Sequence, residues 1–210
     1  MKVAGSNPVS RLSESESISN KLQSRYPVDS DGLPLQCHIL MTKTYPSLEK
    51  FKQTFKEPMT EASVSFPVSS SRVLLAMKKR GFGKGKWNGM GGKRHQNETI
   101  EHTSIRETEE EVGITILSQR RAAELDFYFF DDPEISFNVT VFIADDWDGE
   151  PVETEEMAPR WFSFVDIPFD RMWPDDRIWL PLVLFENKVV KGEFLFNADE
   201  IIVEHSLTQQ

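Results

Sequence analysis

The sequence contains a single cysteine, Cys37, so it offers no internal disulfide. An isolated thiol favours a reducing compartment, and we expect a cytoplasmic protein, with a mitochondrial or nuclear fraction as the alternatives. No apolar run approaches the roughly 20 residues that cross a bilayer, which argues against a membrane-spanning protein. Residues 1–34 have few apolar side chains and no periodicity, and they predict a disordered tail without a secretory signal.

Basic residues are in deficit, and the net charge of the 210 residues is −10. The first 60 residues contain eight Lys or Arg and six Asp or Glu, so the remaining 150 carry −12. Because Lys and Arg must neutralise phosphate when a protein binds nucleic acid polymers or anionic membranes, we expect neither as a partner. A small phosphorylated ligand stays compatible with this charge if metal ions offset it locally.

The apolar pattern predicts an α/β (α+β) domain with a mixed sheet and helices on its faces. A short helix is predicted after Ser47, with Leu48, Phe51 and Phe55 on one face. Longer helices are predicted over 99–112, with Thr99 as N-cap, and over 175–185. Strands are predicted over 73–77, 125–130, 137–144, 160–164, 189–196 and 200–204.

Two segments compete for the first strand of the sheet. Residues 35–41 form an apolar run, whereas residues 63–66, within 62–68, alternate but are followed at once by Pro67, which is typical of an edge strand. The pattern favours 35–41, with 42–70 as an inserted loop. The predicted organisation is therefore a tail over 1–34, a first strand and loop within 35–71, and the main domain over 72–206.

Three glutamates of the predicted helix lie at positions i, i+3 and i+4, so Glu107, Glu110 and Glu111 share one face. Carboxylates this close repel one another unless a cation neutralises them, and hard divalent ions such as Mg²⁺ or Mn²⁺ prefer oxygen ligands. The glycine-rich loop over 80–92 can bring backbone groups close to the same ions or to phosphate. The pattern therefore favours a metal and phosphate site.

Glycines and charged residues stand at fixed offsets around this helix. Gly92 is followed by five residues, Glu98, seven more residues, and then Arg-Glu-Thr-Glu-Glu-Glu-Val-Gly-Ile over 106–114. A solvated acidic helix face, the usual interpretation of a charge run, does not explain these offsets. The stretch resembles the Nudix box, with every defined position matched except Thr108, where an aliphatic residue is usual.

This resemblance to the Nudix family implies an α/β/α sandwich with the mixed sheet between helices, and metal-assisted hydrolysis of a pyrophosphate bond. It implies Mg²⁺, with Mn²⁺ as the alternative, held by oxygen donors from five residues: the Gly91 carbonyl and the carboxylates of Glu107, Glu110, Glu111 and Glu156. Arg106 would pair with Glu98 and fix the loop against the helix. Either Glu111 or Glu156 would take the proton of the attacking water.

Three further segments, 78–93, 155–161 and 172–179, resemble the Nudix hydrolases that act on oxidised purine nucleoside triphosphates. The resemblance runs from 72 to about 204 and implies release of the nucleoside monophosphate and pyrophosphate, and we expect a monomer. The implied substrate-binding residues lie mostly in these segments: Lys78, Phe82, Asn88, Met90, Gly91, Gly92, Lys93, Phe127, Phe129, Trp173, Pro174, Asp175 and Asp176.

Asp175 and Asp176 support this substrate class on physical grounds of their own. Two adjacent carboxylates facing an aromatic pocket cannot easily both ionise, so one keeps its proton near neutral pH. The protonated group then donates a hydrogen bond and the ionised group accepts one, which matches a purine edge. A purely structural interpretation is that Pro174 and the two acids begin a helix, and both interpretations can hold.

Two alternatives remain open from the residues. A Nudix hydrolase of another nucleotide, such as a dinucleoside polyphosphate, ADP-ribose or a cap analogue, would explain the box but not residues 173–176 or Asn88. A non-catalytic Nudix module that binds a ligand or protein would be expected to lose glutamates of the box, and all of them are present.

Overall fold

The structure, a computed structural model, describes residues 45–209. Its helices are α1 (Leu48–Thr54), α2 (Ile100–Val112) and α3 (Asp176–Leu184), and its strands are β1 (Thr60–Ser69), β2 (Arg72–Lys78), β3 (Trp87–Asn88), β4 (Met90–Lys93), β5 (Thr115–Phe129), β6 (Phe137–Asp148), β7 (Met157–Ser163), β8 (Val190–Phe196) and β9 (Ile202–Gln209). Single 3-10 turns cover Pro133–Ile135, Phe164–Asp166 and Phe169–Arg171. In this part of the chain, no helix is long and apolar enough to cross a membrane.

All nine strands join one mixed sheet, which confirms the predicted α/β class. The strand order is β3-β2-β1-β6-β5-β8-β9, while β4 pairs with β1 and β7 with β2. The pairs β1–β6 and β5–β8 are parallel, and the other pairs are antiparallel. Helix α2 packs against β4, β1 and β5, so it lies directly over the short glycine strand that precedes it.

Within residues 45–209 the first strand is β1, which corrects the expectation that 42–70 is an inserted loop. β1 lies inside the sheet and pairs with β6 over eight residues up to Pro67↔Ala144. On its other side the partner changes from β4, ending at Ser65, to β2, beginning at Val68. Pro67 therefore falls where the ladders end, so its missing N–H does not force an edge position. Residues 35–41 lie outside the described residues.

Most of the other predicted elements are confirmed within a few residues, and β5 is the main exception. It begins at Thr115, ten residues before the predicted start at 125. Its pairing with β6 is irregular between Ile116 and Ser118, at Gln119, and between Arg121 and Ala123. Such bulges break the two-residue alternation on which strand prediction depends.

Helix α1 packs behind the strand that carries Phe127 and Phe129. Its Leu48 and Phe51 are buried against Tyr128 and Leu195. Ser47 caps the helix as predicted, with its hydroxyl accepting the N–H of Lys50 at 3.4 Å. Because successive side chains of a strand point to opposite faces, Tyr128 faces α1 while its two neighbours face the other side. Two polar contacts complete the docking of α1: Leu48 N–H to the Glu204 carboxylate at 2.7 Å, and the Lys52–Glu193 ion pair.

The packing of α1 predicts that Phe51→Ala lowers the free energy of unfolding by about 3 kcal/mol, because it leaves a cavity between the helix and the sheet. Phe51 is only 6% exposed. Urea unfolding followed by circular dichroism measures the loss, with Lys50→Ala on the exposed face of the same helix as control. A loss below about 0.5 kcal/mol would mean that α1 does not contribute to the stability of the domain.

Candidate active site

Helix α2 is built to present one acidic face and to bury the opposite one. Thr99 caps it by accepting the N–H of His102 at 3.3 Å, and Gly113 ends it in the left-handed conformation at φ 76°. Thr108, the departure from the box pattern, is fully buried, and its hydroxyl donates to the Ser104 carbonyl at 2.7 Å. A threonine therefore fits this position because its polar atom is satisfied within the helix.

Glu111 lies at the junction of α2 with β4 and β2. It is 3% exposed; one carboxylate oxygen accepts the Gly91 N–H at 2.9 Å and the other accepts from Lys78 Nζ at 3.1 Å. Burial raises the pKa of this carboxyl to about 7, even though Lys78 opposes the rise. The side chain therefore exchanges its proton near neutral pH, as a general base must.

Lys78 joins Glu111 to Glu156, which precedes β7. Its Nζ donates to Glu156 Oε1 at 3.0 Å, and Arg80 contacts the other oxygen of Glu156 at 3.2 Å. The hydrogen bond from Lys78 lowers the pKa of Glu156. Burial by itself would lower the pKa of Lys78, but the two carboxylates outweigh it and raise that pKa. Lys78 is therefore a cation, and Glu156 an anion, at neutral pH.

Arg106 holds the loop before α2 against the helix, as expected. It binds Glu98 with two nitrogens, Nε at 3.1 Å and Nη2 at 2.7 Å. Its Nη1 donates to Glu107 at 2.7 Å and to Glu110 at 3.2 Å. The hydrogen bonds from Arg106 lower the pKa of Glu98 to about 2. One guanidinium thus gathers three carboxylates that would otherwise repel one another.

Glycines in β4 allow this close approach of helix and strand. A Cβ atom on Gly92 would fall within contact distance of the Glu107 carboxyl, and one on Gly91 would overlap the Ser63 carbonyl. No larger residue fits at either position without a shift of backbone or carboxylate. The backbone of Gly91 and Gly92 therefore lies directly against the carboxylates of Glu111 and Glu107.

The glutamates and the Gly91 carbonyl, taken as a group, fit a divalent cation by their donor chemistry. Within residues 45–209, no three His, Cys, Asp or Glu side chains are already arranged to hold a metal ion. Lys78 and Arg106 instead engage the carboxylates of the cluster. The available donors are all oxygens, the ligand type that Mg²⁺ and Mn²⁺ prefer.

A cavity of about 350 Å³ lies beside this group and also touches Lys78 and Glu156. Seven aromatic residues contribute to its walls: Phe82, Phe127, Phe129, Phe137, Trp173, Trp179 and Phe196. Phe82 stacks on Trp173 with ring centroids 4.9 Å apart, and it is 55% exposed. The size and the apolar lining suit a small ligand with a flat ring.

Asp175 and Asp176 line the cavity, and each is 3% exposed. Asp175 accepts the indole N–H of Trp179 at 2.9 Å, and Asp176 accepts the backbone N–H of Trp173 at 3.0 Å. Burial raises the pKa of Asp175, and burial beside that carboxylate raises the pKa of Asp176 well above its ordinary value. The pair is therefore an acid and a base side by side in an apolar wall.

The structure brings most of the implied substrate-binding residues to this cavity: Lys78, Phe82, Asn88, Gly91, Gly92, Lys93, Phe127, Phe129, Trp173, Asp175 and Asp176. Met90 is fully buried in a cluster with Leu74, Val112 and Met157 and is not itself among the lining residues, although Met157 is. Pro174 precedes the aspartate pair and is not among the lining residues. Glu110 is the outermost of the three box glutamates, with 61% of its side chain exposed.

Several cavity residues were not predicted, and those on β1 are the most informative. Ser63 and Val64 line the wall because β1 belongs to the sheet. Ser63 is fully buried, and its hydroxyl has no hydrogen-bond partner within the described residues. The alternation of polar and apolar residues over 63–66 was the available signal. Trp179 was detectable as the residue four positions after Asp175 on the same helical face.

Comparison with known proteins identifies the fold. The family model described as NUDIX domain matches residues 59–183, more than half of the chain. The chain belongs to the Nudix family. The oxidized purine nucleoside triphosphate hydrolase of Danio rerio is 46% identical over 142 residues, 68% of this chain and 90% of that protein. The Mus musculus protein of the same name is 45% identical over 138 residues, 66% and 87% of the two chains.

A solved structure has the same architecture. The MutT protein of Bacillus halodurans superposes with a TM-score of 0.64 at 25% identity, over 71% of this chain and 97% of that chain. The protein is therefore a Nudix hydrolase, and the resemblance of its sequence to the Nudix box is confirmed. Nudix hydrolases generally use a divalent metal, which agrees with the oxygen-rich group around α2.

The Arg106–Glu98 pair predicts a pH-dependent contribution to stability. The pKa of Glu98 is lowered from 4.5 to about 2, so the stabilisation is complete above pH 4.5 and is lost as the pH falls towards 2. Glu98→Gln should lower the free energy of unfolding by about 1–2 kcal/mol at pH 7. Urea titrations at pH 7 and pH 3 measure this loss of unfolding free energy, and the variant Glu109→Gln, at an exposed position of the same helix, is the control. An equal loss at both pH values would contradict the assignment.

Proposed function

We propose that this Nudix hydrolase cleaves oxidised purine nucleoside triphosphates, such as 8-oxo-dGTP and 2-oxo-dATP, to the monophosphate and pyrophosphate. Such an activity would remove damaged precursors from the nucleotide pool. The observation that carries the proposal is a buried pair of aspartates in a cavity with aromatic walls that also touches Glu156 and Gly91, the latter hydrogen-bonded to Glu111. The names of the Danio rerio and Mus musculus relatives support the same substrate class.

The aspartate pair supplies the chemistry of base recognition. With one proton shared between Asp175 and Asp176, one carboxyl donates and the other accepts, so a purine edge with one acceptor and one donor is satisfied. Transfer of the proton between the two lets guanine-type and adenine-type bases use the same site. A mismatched edge leaves a buried polar group unpaired, which costs about 1–3 kcal/mol.

Other side chains of the cavity would hold the nucleoside. The rings of Phe127, Phe129 and Trp173 provide flat apolar surface for the base. Asn88 offers amide hydrogen bonds to a further edge of the base, although its oxygen accepts the Gly89 N–H at 2.8 Å. The buried Ser63 hydroxyl is available to a polar group of the nucleoside.

The phosphates would lie between the lysines of the cavity and the glutamate cluster. Lys78 and Lys93 both line the cavity and carry positive charge to this end of it. Mg²⁺, or Mn²⁺ as the alternative, would be held by the Gly91 carbonyl, Glu107, Glu110, Glu111 and Glu156. A bound cation would supply neutralisation of the phosphate charge, without which phosphoanhydrides are kinetically inert.

Glu111 is favoured over Glu156 as the group that takes the proton of the attacking water. Burial raises the pKa of Glu111 to about 7, close to the pH at which a general base works best. The pKa of Glu156 is lowered by Lys78, which makes it the weaker base. Glu156 would therefore serve mainly as an anionic partner of Lys78 and of the cation.

A cytoplasmic monomer is part of the proposal. One chain forms both the cavity and the glutamate cluster, so the site needs no second copy to be complete. A lone cysteine and the net charge of −10 suit a reducing compartment and a small anionic ligand whose charge is offset by cations.

A turnover panel with Mg²⁺ tests the substrate class. Release of monophosphate and pyrophosphate should be most efficient, by kcat/KM, for oxidised purine nucleoside triphosphates, because they present an edge to the aspartate pair and also carry an added polar group that can bond elsewhere in the cavity, for example to Asn88. Unmodified dGTP and dATP, ADP-ribose and a dinucleoside polyphosphate are the comparison substrates. Greater efficiency with ADP-ribose, or with unmodified dGTP, would overturn the proposal in favour of another Nudix activity.

Glu111→Gln tests the assignment of the base. The substitution removes the proton acceptor but keeps the volume, so kcat should fall by about a thousandfold while the fold is preserved. Steady-state kinetics and a thermal melt measure the two effects. Glu109→Gln, exposed on the same helix, should keep wild-type turnover. Near-normal hydrolysis by a folded Glu111→Gln enzyme would refute the assignment.

A further inference from the structure

A lysine outside the cavity contacts one of its aromatic walls. Lys86 lies in the glycine-rich loop over 80–92, and its Nζ is 4.8 Å from the centroid of the Trp173 ring, a cation–π contact. The backbone N–H of Lys86 donates to the Gly83 carbonyl at 3.0 Å, and its carbonyl accepts from the Lys78 N–H at 3.0 Å. Lys86 is not among the residues that line the cavity, so it acts on the wall from outside.

Glu200 holds this lysine in place from the turn between β8 and β9. The Lys86 Nζ lies 2.8 Å from the Glu200 carboxylate. The turn itself is fixed by the buried Asn197, whose side-chain oxygen accepts the N–H groups of Asp199 at 3.0 Å and Ile201 at 2.9 Å. The ion pair therefore ties the glycine loop to a rigid turn and keeps the ammonium over Trp173.

The same ammonium acts on the buried aspartate pair. Its positive charge lowers the pKa of both Asp175 and Asp176, against the rise caused by burial. Arg177 adds a similar effect on Asp176, but Arg177 is itself paired with Asp170 at 3.1 Å. Two neutral donors also bind the pair, the backbone N–H of Trp173 and the indole N–H of Trp179.

We propose that Lys86, tethered by Glu200, is a positioning residue that holds Trp173 against the cavity and places a positive charge at the end of the cavity that contains Asp175 and Asp176. The effect of the Lys86 charge on the two aspartates does not require a bound ligand. Its consequence for base selection rests on the proposed function. Without Lys86, a larger fraction of the pair is doubly protonated, and a doubly protonated pair donates two hydrogen bonds where the base offers one acceptor and one donor.

Carboxyl titration in the ligand-free protein tests the effect on the pair directly. The full chain is labelled with ¹³C at the aspartate carboxyl carbons, and the signals of Asp175 and Asp176 are followed by NMR against pH. Lys86→Met should raise the apparent pKa values of the pair, because it removes the charge and keeps most of the volume. Lys86→Arg should restore wild-type titration, and Lys84→Met, an exposed lysine of the same loop, should not alter it. Unchanged titration in Lys86→Met would overturn the proposal.

Kinetics test the consequence for substrate. With 8-oxo-dGTP at pH 6.5, Lys86→Met should raise KM about fivefold while kcat stays within about twofold, and the acid limb of the KM profile should move to higher pH. A parallel loss of kcat at every pH would contradict a role at the base site. If the wild-type enzyme turns over no oxidised purine, the proposed function fails, and the NMR titration still decides the role of Lys86.

A double-mutant cycle tests the tether. If Glu200 acts through Lys86, then Glu200→Gln should change KM in the wild-type background and leave it unchanged in Lys86→Met. Equal effects of Glu200→Gln in the two backgrounds would show that Glu200 does not act through Lys86.

Discussion

Two cations hold the catalytic end of this protein together. Lys78 joins Glu111 to Glu156, and Arg106 gathers the glutamates that precede and begin the acidic face of α2. Carboxylates packed this closely would separate if they were not neutralised. The glycines of β4, the cap of α2 and the interior position of β1 all serve to bring that acidic face against the sheet. Five carboxylates still outnumber these two cations, so a phosphorylated substrate would need bound metal ions to offset the remaining negative charge.

The second end of the site depends on a different balance, between burial and hydrogen bonding. Asp175 and Asp176 are buried in an aromatic wall and yet each accepts a hydrogen bond from a tryptophan, one from a backbone and one from an indole. Burial favours the neutral acid, whereas these donors and the nearby Lys86 favour the anion. Because these effects oppose each other, the pair favours the state in which the two carboxyls share one proton. The cavity links this base end to the charged end through Lys78 and Glu156.

Whether a feature of this structure could be predicted from the sequence depends on how far apart in the chain the interacting residues lie. Helix α2, its caps and the Arg106–Glu98 pair were predictable, because their signals lie within one short stretch of chain. The position of β1 was not, because Pro67 is tolerated only through a change of partner strands that are distant in sequence. Met90 packs in the core although Gly91, Gly92 and Lys93 of the same strand line the cavity. The pairing of Lys86 with Glu200 had no local signal at all.

A crystal structure with Mg²⁺ and 8-oxo-dGTP bound to the Glu111→Gln variant is the most direct test of this account. We expect the base to lie against Trp173, with its edge hydrogen-bonded to Asp175 and Asp176. The triphosphate should reach the glutamates of α2, with the metal ion bound there in place of part of the contacts to Lys78 and Arg106. A nucleotide bound elsewhere, with both cations still paired as they are in the free protein, would contradict it.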